Sequence, residues 1–180
     1  MQQPMQDRSR HADAPQTDTP QPVPPPDGRA AADPREYPRR PFVGVGVVVL
    51  HGESVLLIRR GNPPRAGEWS LPGGAQHVGE TVRETAVREV REETGVEIIE
   101  PHFLEVIDAI IRDDEGVPRY HYTLIDFWAR WRSGEPYAAD DAQHAEWVPL
   151  SELENLGLWS KTVEVIRAAH ERRGSSTPIP

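Results

Sequence analysis

The chain has 180 residues, enough for one domain or one domain with a tail, carries a formal net charge of −9 and holds no cysteine. The missing cysteines exclude disulfides, thiol nucleophiles and Cys-ligated zinc. The acidic balance argues against non-specific nucleic-acid binding, which rests on Lys and Arg.

Residues 1–41 hold ten of the 19 prolines, six arginines, six acids and no aromatic before Tyr37. This polar, Pro- and Gln-rich composition predicts a disordered leader. The run PVPPP at 22–26 reads as part of that solvated leader, because a polyproline ligand wants basic flanks at set spacing. The leader's charges cancel, so the net charge belongs to residues 42–180. No basic-then-apolar signal opens the chain, and no run approaches the ~20 apolar residues that span a bilayer. The expectation is a cytoplasmic protein that does not meet a membrane.

Order is expected from Phe42. The stretch FVGVGVVVL at 42–50 is β-branched and nearly all apolar, which predicts a strand buried on both faces. GVGVVV lacks the third glycine of a dinucleotide loop and lies within that strand. A turn at 51–54 leads to a return strand, VLLIRR at 55–60, then a loop and a short strand WSLPGG at 69–74. A helix is expected from Thr81 to Glu93, with Gly95 as its C-cap. Residues 103–112 and 120–132 predict a long hairpin, and 146–150 an edge strand, since Pro149 cannot donate to a ladder. Ser151 is expected to cap a turn. The amphipathic stretch Trp159–Arg172, with Val163, Ile166 and Ala169 spaced for burial, predicts a terminal helix. Residues 174–180 are expected to form a flexible tail. Strands interleaved with two helices predict an α/β sandwich with a mixed sheet over 42–173.

The chemistry concentrates between Gly74 and Val96. A helix advances about 100° per residue, so Glu89, Glu92 and Glu93 fall within an arc of roughly 100°. Val82, Ala86 and Val90 form the neighbouring stripe and should face the sheet, leaving the acids half walled in. Like charges at this spacing cost about 0.2–0.5 kcal/mol per pair on an exposed helix, and more as water is excluded. A divalent cation removes that penalty, and hard oxygen donors suit Mg²⁺ or Mn²⁺ rather than zinc. The competing reading is a solvated helix laced by Glu84–Arg88 and Arg88–Glu92 pairs. It leaves the like-charged pairs and the two upstream glycines unexplained.

The order Gly74, Glu80, Arg88, Glu89, Val90, Glu92, Glu93, Gly95, Val96 resembles an unbroken Nudix box. Similarity to Nudix hydrolases extends from about Phe42 to Arg173. The resemblance implies an α/β/α sandwich whose loop–helix–loop box lies beside a mixed central sheet, with a C-terminal helix. It implies Mg²⁺-dependent hydrolysis of a nucleoside diphosphate linked to another moiety, with Mn²⁺ as a substitute. By position, Glu89, Glu92, Glu93 and the Gly73 carbonyl would ligate the metal. Arg88 would pair with the glutamates, and Glu80 would sit behind them, near metal or water. The general base stays open.

A further acid often comes from the loop before the last strand, where Asp140 and Asp141 are the candidates. Asp141 is favoured, and a turn-forming pair is the alternative. Arg59 and Arg60 could hold a phosphate, and strand alternation points only one of them at substrate. Trp69, Tyr120 and Tyr122 could stack on a base or serve as core and rim. The run GEWSLPGG and the strand Trp-Val-Pro-Leu resemble small bacterial ADP-ribose pyrophosphatase-type members, so nucleotide sugars lead the substrate reading. House-cleaning of (d)NTPs is the alternative within the enzyme class, and a non-catalytic nucleotide sensor the alternative outside it. A small nucleotide is the expected partner, with no stable nucleic-acid binding; a homodimer is allowed. Removing residues 1–40 is expected to leave activity intact.

Overall fold

The computed structural model describes Asp33 and residues 35–175. Strands β1 (Phe42–His51) and β2 (Ser54–Arg60) form the expected hairpin, followed by β3 (Trp69–Ser70) and β4 (Gly73–Ala75). Helix α1 (Val82–Thr94) leads into β5 (Glu97–Ile98), β6 (His102–Arg112), β7 (Pro118–Ser133) and β8 (Ala142–Pro149). A 3₁₀ turn (Leu150–Asn155) and helix α2 (Ser160–Ser175) complete the order. The strands join in one eight-stranded sheet, with β1 and β7 parallel and the other pairs antiparallel.

Period-two alternation in an all-apolar β1 explains the layering. Val45, Val47 and Val49 pack with Ala86 and Val90 of α1, while Val48 and Leu50 pack with Val165, Ile166 and Ala169 of α2. The mixed sheet is therefore covered by one helix on each face, an α/β/α sandwich. No helix among the described residues is long and apolar enough to cross a membrane.

Helix α1 is bounded by local chemistry. Thr81 Oγ1 accepts from Glu84 N at 3.2 Å, and the Glu84 carboxylate accepts from Thr81 N at 2.7 Å, a reciprocal capping box. At the other end Gly95 adopts φ 69° and donates to Arg91 O at 2.9 Å. A Cβ there would run into the Tyr137 ring. Gly95→Ala is expected to lower stability by about 1–3 kcal/mol; an unchanged urea midpoint would contradict this.

Several details depart from expectation. WSLPGG divides into two short strands around Leu71-Pro72, where Pro72 gives its carbonyl to Val47 N at 3.0 Å but has no N–H to return. The 3₁₀ turn starts after Pro149 with no side-chain cap, so Ser151 does not cap it. Helix α2 runs on through Gly174 and Ser175, into the stretch expected to fray; residues 176–180 lie outside the described residues.

The leader differs most where it is described. Tyr37 N donates to Arg119 O at 2.8 Å, and the Tyr37 hydroxyl to Asp113 Oδ2 at 3.1 Å. Glu36 Oε1 accepts from Arg119 Nη2 and from the Tyr120 hydroxyl, both at 2.7 Å. Glu36 and Tyr37 are thus fastened to the β6–β7 hairpin by partners that composition does not reveal. The PVPPP run lies outside the described residues.

Candidate active site

Two glycines let backbone lie directly against the acids of α1. Gly73 donates its N–H to Glu93 Oε2 at 2.8 Å, and a Cβ on Gly74 would collide with the Glu89 carboxylate. Glu89 and Glu93 are 8% and 4% exposed, whereas the Glu92 side chain lies at the rim, 40% exposed. Burial pushes the Glu89 carboxyl up, with the Arg88 guanidinium opposing it. Burial pushes Glu93 up to about 8, against the Gly73 N–H and with added repulsion from Glu89 and Asp141.

Arg88 organises the acids. Its Nη1 donates to Glu89 Oε1 at 2.8 Å and to Glu92 Oε2 at 3.0 Å. Its Nε and Nη2 clasp Glu80 at 2.6 and 3.0 Å, and Nη2 also reaches Ala75 O at 3.2 Å. This clasp, helped by the His77 N–H and the Thr85 hydroxyl, holds the Glu80 carboxyl down at about 2. Glu80 lies behind Arg88 and does not line the cleft.

One oxygen of each α1 acid is therefore engaged: Glu89 Oε1 and Glu92 Oε2 by Arg88, Glu93 Oε2 by the Gly73 N–H. As the side chains stand, no three His, Asp or Glu are gathered at coordinating distance among the described residues. The bonds described leave the other oxygen of each acid to face the cleft, where the Gly73 backbone shares the wall. An all-oxygen donor set holding two buried like charges fits a hard divalent cation.

These groups line a cleft of about 260 Å³, together with Arg35, Arg60, Asn62, His77, Asp140 and Asp141. The aspartates arrive because their loop is tied to the end of α1, through Tyr137 N to Thr94 O and Ala139 N to Glu93 O, both 3.1 Å. Gly61 N then bonds the Asp141 carbonyl at 2.8 Å.

The cleft continues into a more apolar groove of about 380 Å³ on the α2 face of the sheet, walled by Trp69, Leu71, Ile107, Tyr122, Leu124 and Trp159. Asp126 lies at its floor, 5% exposed, and burial pushes its carboxyl up to about 6. Arg35, Arg60, Gly73, Gly74 and Ala75 line both compartments.

Of the residues singled out from sequence, Arg60, Trp69 and Tyr122 line these spaces and Arg59 does not. Arg59 is exposed outside them, paired across the strands with Trp69, its guanidinium 5.0 Å from the centre of that ring. Tyr120 is 5% exposed with its hydroxyl on Glu36, which makes it a fastening residue rather than a stacking surface. Arg35, Asn62, His77 and Asp126 were not singled out. Only Asp126 had a signal, as the one acid on the inward face of an aromatic-rich strand.

The family profile described as NUDIX domain matches residues 40–169. An ADP-ribose pyrophosphatase from Methanocaldococcus jannaschii is 40% identical over 118 residues, covering 66% of this chain and 68% of that protein. The crystal structure of a MutT NUDIX hydrolase from Burkholderia pseudomallei superposes with a TM-score of 0.62 at 30% identity, covering 72% of this chain and 98% of that one. A bifunctional NMN adenylyltransferase/ADP ribose pyrophosphatase from Francisella tularensis, complexed with AMP and a manganese ion, gives a TM-score of 0.57 at 25% identity. That match covers 74% of this chain and 42% of the larger protein.

Proposed function

The chain belongs to the NUDIX family of hydrolases, and on that premise we propose that it splits the pyrophosphate of a nucleoside diphosphate joined to a sugar, with ADP-ribose as the leading substrate and Mg²⁺ as the ion. One observation carries this reading: an acidic, oxygen-lined pocket opens without a break into an aromatic groove, with Arg60 in both walls. A substrate with a charged diphosphate centre and a stackable end matches that division. The M. jannaschii relative's name and the AMP and manganese of the F. tularensis structure support the same class.

Glu89, Glu92 and Glu93 are the residues that would hold the ion, with the Gly73 backbone beside them. The ion supplies charge neutralisation at the phosphoryl oxygens and a more acidic water. The chain's own residues do the remaining work. Arg88 fixes the glutamate rotamers, and Glu80 fixes Arg88. Arg60 faces the diphosphate, while Trp69 and Tyr122 present flat surfaces for the base. Asp141 is the acid from outside the helix, close enough in charge to act on Glu93. Residues 42–173 form the catalytic unit in this reading.

The test is a panel: ADP-ribose, other nucleotide sugars, dNTPs, NADH and diadenosine polyphosphates with Mg²⁺, quantifying released phosphates. ADP-ribose is expected to give the highest kcat/KM, yielding AMP and ribose 5-phosphate. A dNTP in first place would replace the sugar reading with a house-cleaning one. Tight binding of one compound with no turnover of any would make the protein a sensor.

A further inference from the structure

The passage between the acidic pocket and the aromatic groove has few cations to spare. Glu89, Glu92, Glu93, Asp140 and Asp141 line the acidic side. Arg88 is consumed by three glutamates. Of the remaining arginines among the described residues, only Arg60 and Arg35 line both compartments, and Arg60 already gives its Nε to the Pro64 carbonyl at 3.1 Å. Arg35 belongs to the leader, before the first strand.

It is held there by construction. Glu36 and Tyr37, the next two residues, are bonded to Arg119, Tyr120 and Asp113 on the β6–β7 hairpin. The guanidinium also lies near the Tyr122 phenol of the groove wall, where its charge acts on that group. Among the described residues Arg35 pairs with Asp33, two residues away, through Nε and Nη2 at 2.6 to 3.0 Å. With the Arg side chain 35% exposed, that pair is open to exchange. A phosphate, presenting three oxygens to a planar fork, is the stronger partner.

We infer that Arg35 is a substrate-binding residue, which the leader carries to the mouth of the cleft to grip the diphosphate where it passes from groove to acidic pocket. This rests on the nucleotide reading but not on ADP-ribose as the substrate. It reverses the expectation that residues 1–40 are dispensable: removing them takes the second arginine from the passage.

The full chain, Arg35→Ala, Arg35→Lys and Glu36→Gln are compared by calorimetric titration with ADP and by Mg²⁺-dependent turnover of ADP-ribose. Arg35→Ala is expected to raise the ADP Kd and the ADP-ribose KM by about 10-fold, the scale of one charge-assisted contact, with kcat little changed. Arg35→Lys should recover part of the loss. Glu36→Gln, which loosens the fastening, should move KM the same way by less. Wild-type constants in Arg35→Ala overturn the inference, as does a fall in kcat at unchanged KM and Kd. If the wild-type chain leaves ADP-ribose intact while Arg35→Ala still weakens ADP, the sugar reading fails and this one stands. No ADP binding by the wild-type chain overturns both.

Discussion

Glu93→Gln is expected to lower kcat by about 10²-fold or more, with a smaller change in KM. Glu93 is the most buried acid of α1, 4% exposed, and its Oε2 already takes the Gly73 N–H. An amide can keep that hydrogen bond and the shape of the side chain. What it cannot supply is the charge, so the loss reads the charge alone. Stability supplies the control, and its sign is opposite. Burial raises the Glu93 carboxyl from 4.5 to about 8, so its ionised form opposes folding. In the metal-free protein that penalty grows as pH rises through this window and is absent below it. Glu93→Gln removes the penalty, so with metal chelated the variant should melt higher than the wild-type chain at neutral pH. A near-normal kcat would show that this acid does not serve the reaction. A lower melting temperature would mean that kcat was lost through the fold.

The helix that carries these acids was the most legible part of the chain, because its information is local. Thr81 and Glu84 cap each other three residues apart, Gly95 ends the helix by its own φ, and Ala86 and Val90 bury a four-residue stripe. The exposure of Arg59 and the inward placement of Arg60 follow from strand alternation in the same way. What escaped was whatever depends on a partner far along the chain. Arg35 sits in a polar, Pro-rich stretch and gains its place through its neighbours Glu36 and Tyr37, which bond Arg119, Tyr120 and Asp113. Tyr120 looked available for stacking because nothing near it in sequence announces Glu36. Asp140 and Asp141 could be named as acids, yet their arrival at the cleft depends on backbone bonds from Tyr137 and Ala139 to the end of α1. Composition reports the average of residues 1–41, and two fastened residues, Glu36 and Tyr37, do not change an average.

Arg88→Ala should cost about 10–100-fold in kcat, the scale seen when a partner that orients metal-binding side chains is removed. Two effects of the substitution oppose each other, and saturation with metal separates them. Taking a positive charge from beside Glu89 and Glu92 leaves the acids more negative, which by itself favours a divalent cation. Taking away the guanidinium also frees three carboxylates, those of Glu80, Glu89 and Glu92, to turn away from one another. A cation drawn to displaced oxygens is bound in the wrong place. The deficit in kcat should therefore persist at saturating Mg²⁺, even if the metal midpoint is unchanged or lower. Arg88→Lys should recover little, because one ammonium cannot clasp Glu80 through two nitrogens while a third reaches Glu89 and Glu92. Full rescue by excess Mg²⁺ would show that the variant lost metal affinity and that the bound ion is still correctly placed. A persistent loss would assign it the orientation of the acids.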